Sequence, residues 1–235
     1  MSGLDDTSLQ RLQRDLQIQT FDAGSVVRQR AQPTHHWVGV LSGLLLLRGD
    51  GERPSGANAI APGGWVGEDT IAGGQAWPAD LVALRKCHLG LLPADTYFWL
   101  RERSLGFNHM LLARLEQRMR LCREQLRAGR AGSADERVAQ ALLMLFDPLL
   151  HPAVGQLLRI TQEELAEICH LSRQRVNQAL QRLSSLGQLR LRYGGIELVA
   201  AHSLRVFAAR GETEPVVDQG LVAELEDGPA LDRTY

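Results

Sequence analysis

Residues 160–198 read ITQEELAEICHLSRQRVNQALQRLSSLGQLRLRYGGIEL, and this stretch decides the C-terminal fold. Thr161-Gln-Glu-Glu164 places a hydroxyl and a carboxylate three residues apart, as a capping box requires, and opens a helix that buries Leu165 and Ile168. His170-Leu171 makes a tight turn, and Ser172 caps a second helix with Val176, Ala179, Leu180 and Leu183 inward and Gly187 as its stop. Residues 188–199 then place two short β runs around Gly194-Gly195, a hairpin. Two capped helices and a hairpin spell a helix-turn-helix with a wing. With the apolar stripe inward, helical geometry turns Gln174, Gln178 and Gln181 outward and puts Arg173 in the first turn. Arg175 and Arg182 flank that face, and Arg190 and Arg192 stand on the hairpin. Residues 151–210 carry eight arginines against four acids, the local charge that phosphate binding needs. The candidate DNA-contact set is therefore Thr161, Ser172, Arg173, Gln174, Arg175, Asn177, Gln178, Gln181, Arg182, Arg190 and Arg192. The alternative is a winged helix that serves protein interaction, its arginines merely solvated.

Upstream, residues 133–136 (Ser-Ala-Asp-Glu) form a further capping box, followed by Val138, Ala141, Leu142, Leu145 and Phe146 on one helix face, until Pro148 and Pro152 break the pattern. Before it, Leu105, Asn108, Leu112, Leu115, Met119, Cys122 and Leu126 recur at alternating spacings of three and four. That is an a/d seam over about three heptads. It fits either a long helix lying on its own chain or a parallel two-helix dimer. Gly129 and Gly132 mark a hinge after it. From about Thr20 to Leu92, short apolar runs (25–27, 37–41, 44–47, 80–84 and 87–92) alternate with Gly and Pro, the texture of an all-β roll. Residues 4–17 form a short amphipathic helix through Leu4, Leu9, Leu12 and Leu16. The expected fold class is α+β, with a jelly-roll-like sensor at 1–102, a dimerisation helix and hinge at 103–131, a winged helix-turn-helix at 132–210 and an acidic flexible tail at 211–235.

Composition agrees with a globular chain: 235 residues, 26.0 kDa, 44% apolar and 23% charged, with mean hydropathy −0.16. Collagen-like, wholly disordered and membrane-bundle classes are excluded. The three cysteines, Cys87, Cys122 and Cys169, show no CxxC pairing, which argues against a disulfide framework and against a thiolate metal site. No secretory signal is visible and the longest uniformly apolar run is Leu44–Leu47, so a cytoplasmic protein with no membrane partner is expected. The net charge of −1 conceals an asymmetry. Residues 212–235 hold seven acids against one base, and the remainder of the chain is at +5. No phosphate loop, GxSxG or HExxH is present, and no enzyme is expected.

The T-Q-x-x-L-A helix at 161–166, followed by S-R-x-x-V-N-x-x-L-x-x-L at 172–183, resembles the DNA-binding end of the Crp/Fnr family of bacterial transcription regulators. Phe21-x-x-Gly24, Leu41-Ser42-Gly43, Gly64-x-x-Gly67-Glu68 and Arg137-Val-Ala extend the similarity over residues 20–207. The resemblance implies a parallel two-fold dimer through the heptad helix, with recognition helices in successive major grooves of a near-palindromic site, and RNA polymerase as a partner if the protein activates.

Three departures accompany it. In the family's cyclic-nucleotide binders, Gly-Glu is followed ten residues later by an Arg that holds the cyclic phosphate, then Ser or Thr. Here Gly67-Glu68 is followed by Pro78-Ala79, and Cys122 stands where a small hydroxyl residue meets the base. The effector pocket (Gly67, Glu68, Pro78, Ala79, Cys122) thus reads as degenerate, and an unknown small molecule rather than cAMP or cGMP is expected. There is no N-terminal cysteine cluster for iron–sulfur ligation, no spacing among the seven histidines singles out a haem ligand, and Cys122 reads as a small buried apolar residue rather than a redox switch. No cofactor is expected. Finally, Gln174 replaces the acid that reads cytosine in many members, and an amide suits adenine better.

Overall fold

The computed structural model describes residues 4–49, 58–127 and 133–210, with side chains throughout except at 125–127 and 210. Helix α1 (Asp6–Asp15) begins where the Asp5 carboxylate accepts the Ser8 backbone N–H at 2.8 Å. The chain then builds two four-stranded antiparallel sheets. One has the order β1-β8-β3-β6, from β1 (Gln17–Phe21), β3 (His36–Ser42), β6 (Trp65–Val66) and β8 (Cys87–Pro93). The other has the order β2-β7-β4-β5, from β2 (Val26–Arg28), β4 (Leu45–Arg48), β5 (Ala59–Ile60) and β7 (Asp80–Ala83). Val38 faces Leu91 and Val40 faces Leu89 in the β3–β8 pair, and these side chains meet Leu45, Leu81 and Ala83 of the other sheet in one buried cluster. Gly43 turns the chain from one sheet to the next at φ +108°, and a Cβ there would stand 2.4 Å from the Cys87 Sγ. Only glycine meets both conditions.

Short α2 (Glu68–Gly73) sits between β6 and β7, and α3 (Ala94–Arg103) leads from the roll into α4 (Leu105–Arg127). Both arrangements left open by the heptad spacing bear on α4. A stripe through Phe107, Leu111, Arg114 and Leu121 is buried against the helix's own chain. The seam lies on another face: Leu105, Leu112, Leu115 and Met119 are 70%, 55%, 42% and 53% exposed, and Cys122 is exposed too. Asn108 donates from Nδ2 to the Arg101 carbonyl at 2.6 Å. The Leu126 side chain, the glycine hinge and the acidic tail lie outside the described residues. Within a single chain Cys122 is exposed, because the inward stripe runs one residue before the seam, a quarter turn or so round the helix.

The C-terminal part consists of α5 (Ala134–Leu145), α6 (Gln162–Cys169), α7 (Arg173–Ser185) and α8 (Ala201–Arg210), with a sheet of order β10-β11-β9 made by β9 (Leu157–Leu158), β10 (Leu189–Arg192) and β11 (Gly195–Leu198). Its apolar core, including Val138, Leu142, Leu165, Val176, Leu183 and Phe207, is continuous with Leu44, Leu46, Ala59 and Ala61 on the roll. Arg85 of the roll grips Glu164 of α6 with two bonds, at 2.7 and 2.5 Å, and Arg48 pairs with Glu167. The architecture is α+β, an antiparallel roll followed by a long helix and a winged helix-turn-helix.

Candidate nucleic-acid interface and effector cavity

Local caps set α6 and α7. Thr161 Oγ1 accepts the Glu164 N–H at 3.2 Å while Glu164 accepts the Thr161 N–H at 2.8 Å, and Ser133 and Glu136 do the same at α5. His170 takes the left-handed conformation (φ +48°) that closes α6, and Ser172 Oγ accepts the Arg175 N–H at 3.2 Å to open α7. Val176, Ala179, Leu180 and Leu183 are buried. That anchorage leaves Arg173, Gln174, Gln178 and Gln181 exposed on the opposite side, with Thr161 and Ser172 exposed at the helix starts. Arg173 is ion-paired with Glu163 at 2.9 Å, with both side chains more than half exposed, a contact that costs little to exchange for another partner.

Of the remaining candidates, Asn177, Arg175, Arg182 and Arg192 are engaged within the protein. Asn177 is half-buried and accepts from Gln162 Nε2 at 3.0 Å, tying α7 to α6. Arg175 and Arg182 both reach the buried carboxylate of Asp135 at 2.9 Å. On the wing, Arg190 is exposed, and Arg192 pairs with Glu197 at 2.6 Å. Tyr193, which the sequence reading passed over, is fully exposed at the hairpin tip. Its position before Gly194-Gly195 was the available signal.

A second feature is a cavity of about 180 Å³ between the roll, α4 and the segment after α5. Leu47, Ile60, Val66, Trp77 and Pro78 line it from the roll, Arg118 from α4, and Leu150 and His151 from the third side. Glu68 lies buried beside it with its carboxylate already taken: Oε2 accepts the Trp37 indole N–H at 3.1 Å and Oε1 pairs with Arg118. Arg118 also donates to the Trp65 carbonyl. Gly67 at φ +99°, packed under the Trp77 ring, makes the bend that sends Glu68 inward. Cys122 points away on the exposed face of α4, so within one chain the helix residue at this cavity is Arg118. Arg118 was not among the expected site residues; the signal for it is a second stripe, 107, 111, 114, 118 and 121, with the same alternating spacing as the seam.

Deeper in this region, Arg114 is 4% exposed and donates to the Leu149 carbonyl at 3.0 Å, while its Nε and second terminal nitrogen have no partner among the described residues. Burial pushes it down to about 10. The Trp77 indole nitrogen is likewise buried without a partner among the described residues.

Residues 18–104 match the cyclic nucleotide-binding domain and residues 136–207 the Crp-like helix-turn-helix domain. The chain is 32% identical over 149 residues to the cyclic AMP receptor protein of Thermus thermophilus, covering 63% of this chain and 67% of that protein. This chain belongs to the Crp/Fnr family. A solved CRP/FNR-family transcriptional regulator, also from Thermus thermophilus, is 28% identical, with 82% of this chain and 98% of that one covered at a TM-score of 0.53. FixK2 from Bradyrhizobium japonicum, 17% identical with 81% and 96% covered, shares the fold at a TM-score of 0.62. The Crp/Fnr family is one of transcriptional regulators, and no helix among the described residues is long and apolar enough to cross a membrane.

Within this Crp/Fnr chain, His151 joins the roll to the C-terminal part. Its ring Nδ1 lies 2.9 Å from the Met144 carbonyl oxygen, and a Cβ on Gly64 of the roll would stand 2.6 Å from its Cδ2. Burial, with Arg114 and Arg118 nearby, pushes its pKa from 6.5 down to about 4. The unfolded chain therefore takes up a proton that the folded chain refuses. The resulting stability is complete above pH 6.5 and is lost as pH falls from 6.5 towards 4, by up to about 3 kcal/mol. Urea midpoints measured across pH 4–7 should show a shallower acid limb for His151→Gln than for wild type. Parallel limbs would assign the acid sensitivity elsewhere.

Proposed function

We propose that this chain is a sequence-specific DNA-binding transcription regulator, acting in the cytoplasm as a homodimer on a near-palindromic site and answering to a small-molecule effector other than cAMP or cGMP. The observation that carries the reading is α7. A capped helix anchored by Val176, Leu180 and Leu183 presents Arg173, Gln174, Gln178 and Gln181 to solvent in a locally basic module. The uncovered seam of α4 supports pairing of two copies. In this reading residues 1–102 sense, 103–131 pair, 132–210 read DNA, and RNA polymerase is a partner if the bound protein activates.

Arg173 suits guanine through its N7 and O6 acceptors, a bidentate contact worth about 1–3 kcal/mol of base discrimination. Arg190, exposed on the wing, suits phosphate. Arg173→Ala is expected to lose preference for the selected site as well as affinity. Arg190→Ala should weaken all duplexes alike and flatten the salt dependence by about one unit of slope. Gel shifts on a selected and a scrambled duplex across a salt series decide it. An Arg173→Ala protein that keeps its full preference counts against the assignment.

The Thermus relative is named for cyclic AMP. In the present cavity Pro78 offers neither charge nor N–H, and the Arg118 charge is matched by Glu68. A buried cyclic phosphodiester needs a paired cation or several donors. Titration calorimetry with cAMP and cGMP should therefore give no micromolar binding. Micromolar binding accompanied by tighter DNA binding would mean that Arg118 exchanges Glu68 for the phosphate. The reading of the roll as a constitutive scaffold draws on a different observation, the apolar core and the Arg85–Glu164 pair that join it to α6.

A further inference from the structure

Asp135 is the second residue of α5, and it is 3% exposed. Its Oδ2 accepts a hydrogen bond from Arg182 at 2.9 Å, and its Oδ1 lies 2.9 Å from a terminal nitrogen of Arg175. The two arginines stand seven residues apart on α7, on one flank beside the exposed reading face. Each has a further contact: Arg175 donates to Gln178 Oε1 at 3.3 Å, and the Arg182 guanidinium lies 5.5 Å from the Phe207 ring centre. A carboxylate this buried is costly to leave unpaired, so the arginines are held to it. An α7 arginine would ordinarily be counted as a phosphate contact, yet these two already have an anion inside the protein.

We propose that Asp135 is a positioning residue that keeps Arg175 and Arg182 off the DNA backbone. The charge-only share of binding then stays low and α7 discriminates through Arg173 and its glutamines. This inference rests on the DNA-binding reading above. Each phosphate contact contributes about 0.9 to the slope of log affinity against log salt. Withholding two guanidinium groups therefore removes up to about 1.8 from that slope, in binding that carries no sequence information.

The test uses the full-length chain, a duplex selected by the wild-type protein from a random pool, and a scrambled duplex of equal length. Asp135→Asn keeps the side-chain shape and removes the charge. It should steepen the salt slope by about 0.9 to 1.8 on both duplexes alike and raise the affinity of both, by about threefold per freed guanidinium over a fourfold change in salt. Asp135→Glu should restore the wild-type slope. A merely structural role would lower the melting temperature and weaken both duplexes without steepening the slope. That result, or an unchanged slope, overturns the proposal. Should Asp135→Asn fail to fold, Arg175→Gln and Arg182→Gln carry the test in an otherwise wild-type chain. Each should leave the slope unchanged, and a flatter slope in either overturns the proposal. A wild-type chain with no preference between the two duplexes instead overturns the DNA-binding reading, and this one with it.

Discussion

Leu115→Glu in α4 is expected to sediment as a monomer and to bind its selected DNA site at least about 100-fold more weakly, because the avidity of two linked half-site contacts is lost. Leu115 lies in the exposed row with Leu112, Met119 and Cys122, while the same helix buries Phe107, Leu111 and Leu121 on its own chain. Burying a leucine is worth about 1.5–3 kcal/mol, so pairing several along the seam gives a substantial interface. A carboxylate in that seam would have to be desolvated without a partner. Sedimentation velocity and anisotropy titration of a labelled duplex read the two effects. Leu111→Glu is the contrast: it strikes the inward stripe and should lower the unfolding midpoint. A Leu115→Glu protein that remains dimeric would put the interface on another surface.

The second large effect is expected at Trp37, whose replacement by alanine should lower unfolding stability by about 3–5 kcal/mol. Trp37 is fully buried, stacks on Trp65 with ring centres 4.3 Å apart, and meets Tyr97 and Phe107 edge-on at 5.6 and 5.7 Å. It therefore joins β3 of the roll to α3 and α4, and its indole N–H also holds Glu68. Trp37→Phe keeps most of the ring contact and leaves the Glu68 carboxylate one donor short, with an expected cost of about 1–3 kcal/mol. Urea unfolding followed by circular dichroism measures both. A loss below about 1 kcal/mol for Trp37→Ala would mean that this aromatic cluster is not what fastens the helices to the roll.

These residues also mark where sequence reading succeeded and where it stopped. The capping boxes at Ser133 and Thr161 and the Ser172 cap are local patterns, complete within four residues, and the winged helix-turn-helix was legible from them. Strands β5 and β6, with two residues each, carry no period to detect, and α8 was not foreseen. The seam of α4 was legible because leucine marks it. Its inward stripe was not, because Arg114 and Arg118 stand in positions where an apolar residue would have revealed it. The contacts that redefine the candidate sites span long separations: Arg118 reaches Glu68 50 residues away, and Arg182 reaches Asp135 47 residues away. Residue type alone made Arg175 and Arg182 look like phosphate contacts. Only the folded chain shows the carboxylate between them.

The apolar cluster shared by the two ends of the chain has a consequence for how such regulators can be recombined. Leu44, Leu46, Ala59 and Ala61 belong to the roll, yet they pack in the same cluster as Leu165, Val176 and Leu183 beneath the reading helix. A chimera spliced at the hinge, grafting this reading module onto another sensor, would separate residues that exclude water from one another. The foreign roll would need small and branched apolar residues at the places of Leu44, Leu46, Ala59 and Ala61, and a cation at the place of Arg85 to meet Glu164. The heritable unit of exchange in this protein is thus larger than its helix-turn-helix: it includes the β4–β5 patch against which the module is moulded.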